Sequence, residues 1–73
     1  MKWRLALINA TIPTASFYTI QYEDYSVMDY KPDLQSELLA MRYHDEMIES
    51  TGGNEFGQWQ FMDNMPDFIK EKL

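Results

Sequence analysis

The sequence predicts an α+β fold: a small two-layer ββαβα sandwich in which a three-stranded, mainly antiparallel sheet is packed by one long central helix and a short C-terminal helix. Three observations lead there. Residues 2–9 and 16–23 alternate apolar and polar side chains with the period of two that marks strands. A run of strong helix formers follows Pro32. A third aromatic-rich segment at 55–61 then leads into a second proline-started helix.

In the first strand Trp3, Leu5 and Leu7 share one face, and Lys2, Arg4 and Ala6 share the other. Residues 10–15 break this alternation, and Pro13 cannot donate to a ladder. In the second strand Tyr18, Ile20 and Tyr22 form the apolar face, with Thr19, Gln21 and Glu23 opposite. Together the two strands read as an antiparallel hairpin with a loop longer than two residues. Residues 24–32 lack a clean period and read as a connector rich in Tyr and Asp, with a short strand at 25–28 as the alternative. The helix is expected from position 32 or 33 to position 50. Pro32 and Asp33 suit its first turn, and Gly52 or Gly53 offers a left-handed cap at its end. In the third strand Trp59 and Phe61 share a face, and Gly57 is the place for a bulge. Asp63 or Asn64 caps the last helix, Pro66 and Asp67 fill its first turn, and Phe68, Ile69 and Leu73 are its apolar side.

Length and composition narrow the class. The chain has 73 residues, so positions 1–73 are read as one domain. It carries 6 Lys+Arg against 12 Asp+Glu, a net charge of −6. Hydrophobic residues make up 45% and aromatics 15%, too many for a disordered chain. The absence of cysteine excludes disulfides, thiolate metal sites and cysteine nucleophiles. The opening Met1-Lys2-Trp3-Arg4 is basic, but Asn9, Thr11 and Pro13 interrupt the apolar stretch and no A-x-A site follows, so it is not read as a signal peptide. No apolar run approaches the roughly 20 residues of a membrane span. The expected setting is cytoplasmic. So few cations argue against direct nucleic-acid binding and against acidic membrane surfaces. A basic protein is the better electrostatic match.

His44 lies seven residues after Glu37 on nearly the same helix side, but no nucleophile or oxyanion donor accompanies the pair. His44 is therefore expected to be half-buried and bonded to Glu37 or to backbone. A zinc site from His44, Asp45 and Glu49 lacks ligands, and Asp24, Asp29 and Asp33 lack the calcium-loop spacing. Gly52-Gly53-Asn54 lacks a phosphate-loop pattern, and Glu55 would repel an anion. No catalytic residue, metal or cofactor is assigned, and the chain is not expected to be an enzyme.

Binding is the remaining class. Asp45, Glu46 and Glu49 mark an acidic sector of the helix, which Glu23, Asp24 and Asp29 extend if the fold joins them. Tyr25, Met28 and Tyr30 adjoin it, and aromatic anchors beside carboxylates resemble an interface. The apolar arc of the helix (Leu34, Leu38, Leu39, Ala40, Met41, Tyr43, His44, Met47, Ile48) exceeds the stripe needed to cover one sheet. Either the helix is wedged between the sheet and the final helix, or Tyr43 and Met47 are free for a partner. The expected interface is thus Asp24, Tyr25, Asp29, Tyr30, Tyr43, Asp45, Glu46 and Glu49. The function it implies is a small acidic regulator or inhibitor of the phage or mobile-element type, docking on a basic protein such as a nuclease, polymerase or immune complex. The alternative is an obligate subunit or homodimer meeting its copy through Leu39, Tyr43 and Met47.

Overall fold

A computed structural model describes residues 1–10, 15–44, 49–51 and 54–73 of the chain. It is a small α+β fold built on an antiparallel sheet. Strands β1 (Lys2–Ala10) and β2 (Ala15–Tyr22) form the expected hairpin, in a register that sets Trp3 opposite Tyr22 and Ala10 opposite Ala15. The intervening residues 11–14, Pro13 among them, lie outside the described residues.

The third strand is divided as Gly57 suggests. Strand β4 (Asn54–Phe56) sets Phe56 opposite Ala6, whereas β5 (Gln60–Phe61) sets Gln60 opposite Trp3. Residues 57–59 therefore span a stretch in which β1 supplies only Leu5 and Arg4, which is a bulge of one residue. Gly57 is buried there, its amide donating to the Leu5 carbonyl at 2.7 Å.

The helix differs from expectation at its C-terminal end. A 3₁₀ turn, Pro32–Leu34, leads into α1 (Gln35–His44), but Glu49–Thr51 is a strand, β3, paired antiparallel with β4. Local helix propensity extended the sequence reading to position 50; hydrogen bonds from β4 claim these three residues for the sheet. The expected cap at Gly52 or Gly53 lies outside the described residues. The sheet order is β2-β1-β4-β3, with β5 also on β1, so strand segments outnumber the three expected. At the C-terminus, Asp63 and Asn64 belong to a second 3₁₀ turn, Met62–Asn64, and cap nothing. Pro66 is the N-cap of α2 (Asp67–Lys70), where its extended φ/ψ starts the turn without a side-chain hydrogen bond.

The 3₁₀ turn and helix α1 together bury a narrow stripe, Leu34 from the turn and Leu38 from the helix with Met41 half-buried, onto one face of the sheet. The core there is Trp3, Leu5, Ile20, Met28, Leu34, Leu38, Met65 and Ile69. Leu39, Ala40 and Tyr43 are exposed, so wedging accounts for only part of the apolar arc. Met47 and Ile48 lie outside the described residues. Leu73, expected on the apolar side of the last helix, is 64% exposed because the chain has left α2 before reaching it. Polar contacts add to this apolar packing. Arg42 donates to the Tyr18 hydroxyl at 3.0 Å and its other nitrogen meets Glu55 at 3.2 Å. That Glu55 oxygen is shielded from solvent but poorly aligned for a hydrogen bond, so the contact is an ion pair only. Lys72 pairs with Asp33, joining the chain's last turn to the start of the helix.

Candidate interaction surface

The surface is built around residues 24–30, which turn back along the outer edge of β2 and are called the strap here. The turn begins with Asp24, whose carboxylate accepts both the backbone N–H of Ser26 at 3.0 Å and its hydroxyl at 2.6 Å. These bonds favour the ionised form and hold the Asp24 carboxyl below the usual aspartate range. Tyr25 follows with a left-handed backbone, φ 70°, sparsely populated by residues that carry a Cβ. The strap then makes one bridge to β2, at Gln21–Val27. The Tyr22 amide donates to the Ser26 carbonyl at 2.9 Å and the Met28 amide to the Ile20 carbonyl at 2.8 Å. The alternative short strand at 25–28 is thus reduced to a single bridge, and the connector reading holds.

The edge of β2 is closed further along by a side chain. Gln35, at the start of α1, accepts from the Tyr18 amide and donates to the Tyr18 carbonyl, both at 2.9 Å. Its amide group takes the place of one residue of a neighbouring strand. Bare strand edges invite pairing with other chains, and here a glutamine and the strap cover this one.

Beneath the strap, the outer face of the sheet is not the solvated face that Lys2, Arg4, Thr19 and Gln21 suggest. Ala6 and Thr19, opposite each other in the hairpin, are buried, and so is Gln21. The Arg4 guanidinium lies 4.2 Å from the ring centres of both Phe56 and Trp59. Its Nε donates to Gln21 at 2.8 Å, and Gln21 in turn donates to the Tyr25 carbonyl at 3.3 Å. The Thr19 hydroxyl donates to the Met28 carbonyl at 2.8 Å. The Lys2 ammonium sits 5.1 Å from the Phe61 ring centre, so Trp59 and Phe61 do share the face assigned to them. A weakly hydrated, planar cation between two rings can be half-buried at little desolvation cost.

The tyrosines of the strap rest on this layer. Tyr25 meets Trp59 edge-on at 6.2 Å while 70% exposed, and Tyr30 meets Phe17 edge-on at 5.1 Å while 54% exposed. Asp24 and Asp29 are exposed beside them. Four of the expected interface residues are therefore gathered on one short segment. The others are not gathered with it. Tyr43 is exposed on α1, across the sheet from the strap. Glu49 belongs to β3, at the opposite edge of the sheet, several strand spacings of about 4.8 Å from β2. Asp45 and Glu46 lie outside the described residues. Sequence reasoning missed Arg4, Gln21 and Thr19, which hold the strap in place; the signal was available in the shared strand parity of Arg4, Phe17, Thr19 and Gln21.

His44 is exposed rather than half-buried, because it lies off the Leu34–Leu38–Met41 stripe, and the Glu37 carboxylate accepts the Ser36 hydroxyl at 3.1 Å. Among the described residues no group of three His, Cys, Asp or Glu side chains could hold a metal ion, and no helix is long and apolar enough to cross a membrane. An open cleft of about 300 Å³ beside the strap mixes Asp29 with Lys31 and Lys72 and has no single sign of charge.

Comparison with protein-family models, with curated proteins and with solved structures finds no match to this chain.

Proposed function

We propose that this chain is a non-catalytic, acidic regulator or inhibitor of the phage or mobile-element type. In this reading it acts in the cytoplasm, docking stoichiometrically on a basic, nucleic-acid-handling protein such as a nuclease, polymerase or immune complex. The observation that carries the reading is the strap: Asp24, Tyr25, Asp29 and Tyr30 are exposed on one short segment, with both rings braced from behind by Trp59 and Phe17. Carboxylates steer the encounter with a positive surface, and braced aromatic rings supply apolar area at little cost in rotamer freedom.

The test is affinity capture at low and at high salt with three forms: the natural chain, Asp24→Lys/Asp29→Lys, and Tyr25→Ala/Tyr30→Ala. One basic partner, released by salt and lost with both variants, is the expected result. The charge reversals should slow association and the alanines should mainly speed dissociation. Capture unchanged in both variants sinks the reading.

A second reading is favoured by one observation, the exposure of Leu39 and Tyr43 on α1. It is a self-associating module that buries this helix face against its own copy. Solution mass across a dilution series discriminates: a monomer at micromolar concentration removes it.

A further inference from the structure

We propose that the strap is displaceable, and that the β2 edge beneath it is a strand-pairing site for an extended segment of another protein carrying an apolar side chain where Met28 now sits. This goes beyond the docking surface above, which uses the strap's outward side and needs nothing from the edge it covers.

The edge's capacity to pair is already exercised in the structure. The hydrogen bonds Tyr22 N–H to Ser26 and Met28 N–H to Ile20 flank Gln21 and Val27, which is the pattern of a non-hydrogen-bonded antiparallel pair. An incoming backbone would repeat these bonds. It would also need an anchor, and the strap shows its form. Met28, 7% exposed, is the one side chain of residues 24–30 that enters the core, alongside Ile20, Leu34 and Leu38. The remaining strap residues are exposed.

The hold on the strap is slight. Among the described residues it consists of one apolar anchor, the Thr19 hydroxyl on the Met28 carbonyl, the Gln21 amide on the Tyr25 carbonyl, two edge-on ring contacts, the two backbone bonds that flank the Gln21–Val27 bridge, and the Tyr25 amide on the Tyr22 carbonyl at 2.8 Å. Against these stands the left-handed backbone of Tyr25, a conformation that costs free energy and is relieved on opening. A segment with few buried apolar contacts and exposed backbone bonds opens below the free energy of global unfolding. An outside segment competes with the tethered strap, so its apparent affinity is reduced by the fraction of molecules that are open.

The chain has no cysteine, which permits a reversible lock. Gln21 and Val27 are direct cross-strand partners; such pairs have Cα atoms about 4.5 Å apart, within the reach of a disulfide. The experiment compares oxidised and reduced Gln21→Cys/Val27→Cys, together with the natural chain. The probe is a synthetic peptide of residues 24–31, with a Met28→Asp version as control.

In the natural chain and the reduced variant, the Tyr22 and Met28 amides should exchange on the order of tenfold faster than those paired between β1 and β2. The peptide should shift the Ile20 and Tyr22 resonances saturably, and the control peptide should not. Oxidation should slow both amides by a similar factor and abolish the peptide response. The proposal fails if those amides in the natural chain exchange only with global unfolding. It fails equally if the peptide is silent on the reduced form or acts alike on both. A concentration-dependent dimer with exchanged straps makes a second copy the occupant and also overturns it.

Discussion

The two faces of the sheet in this molecule exclude water by different chemistry. On the inner face, Trp3, Leu5 and Ile20 meet Leu34, Leu38 and Ile69 in an apolar cluster. On the outer face, Ala6, Thr19 and Gln21 are buried by Phe17, Phe56, Trp59 and a stacked guanidinium, with the strap completing the cover. The inner face depends on area, which is non-directional and tolerates imprecise placement. The outer face depends on direction: Arg4 on Gln21, Gln21 on Tyr25 and Thr19 on Met28 each require a partner in one place. A chain this small buries only roughly 60% of its unfolded surface, and packing both faces of one hairpin recovers area that a single-faced sheet would leave wet. The candidate interaction surface rests on the directional side, where contacts are fewer and local opening is easier.

The inner face carries the largest expected loss. Leu38 is 1% exposed at the centre of the core, and Leu38→Ala should cost about 2–5 kcal/mol of unfolding free energy, read by urea denaturation. A loss near that of a surface substitution would mean that α1 does not hold the fold. Arg4→Met comes next. It keeps the aliphatic stem but removes the charge between two rings and the bond to Gln21, for a loss of about 1–2 kcal/mol. Arg4→Lys should recover only part, because an ammonium cannot stack in plane; full recovery would reduce the site to a simple charge.

Thr19→Val acts on the outer face alone. The isosteric change leaves the Met28 carbonyl without its hydroxyl donor, for about 1 kcal/mol, and the loss should appear as faster exchange at the Met28 amide with little change at amides paired between β1 and β2. An effect spread evenly over the hairpin would show that the strap is not a separate unit.

The smallest effect is electrostatic. Asp33 is held below the usual aspartate range by its hydrogen bond to Lys72, and Asp24 by its bonds to Ser26. A carboxyl whose folded value is depressed contributes stability above its unfolded value of about 3.8 and loses it as pH falls through the folded value. Carboxyl titration by NMR should place both midpoints below 3.8. Lys72→Ala should return that of Asp33 toward 3.8 and leave that of Asp24 in place; movement of both would contradict the assigned causes.

Much of this fold is legible in the residues alone. The hairpin follows from a period of two sustained through Trp3, Leu5, Ile20 and Tyr22. The bulge follows from Gly57 in an otherwise aromatic strand, and the start of the helix from Pro32 and Asp33. These are decisions among near neighbours, and local stereochemistry carries them. The end of the helix was not legible, because residues 49–51 have no strong preference of their own and take their hydrogen bonds from β4. Nor was the dispersal of the expected acidic surface: spacing along a helix brings Asp45 and Glu49 together only if the helix continues, and β3 sends Glu49 to the far edge of the sheet. The strap was legible as a connector with exposed tyrosines, and its grip was not. Gln35 as a substitute strand, Gln21 as a bridge and Arg4 between two rings are polar residues that composition assigns to solvent. Their burial depends on partners 17 or more residues away in sequence for Arg4 and Gln35, and a directional bond is defined only once the tertiary structure has set its two ends in place.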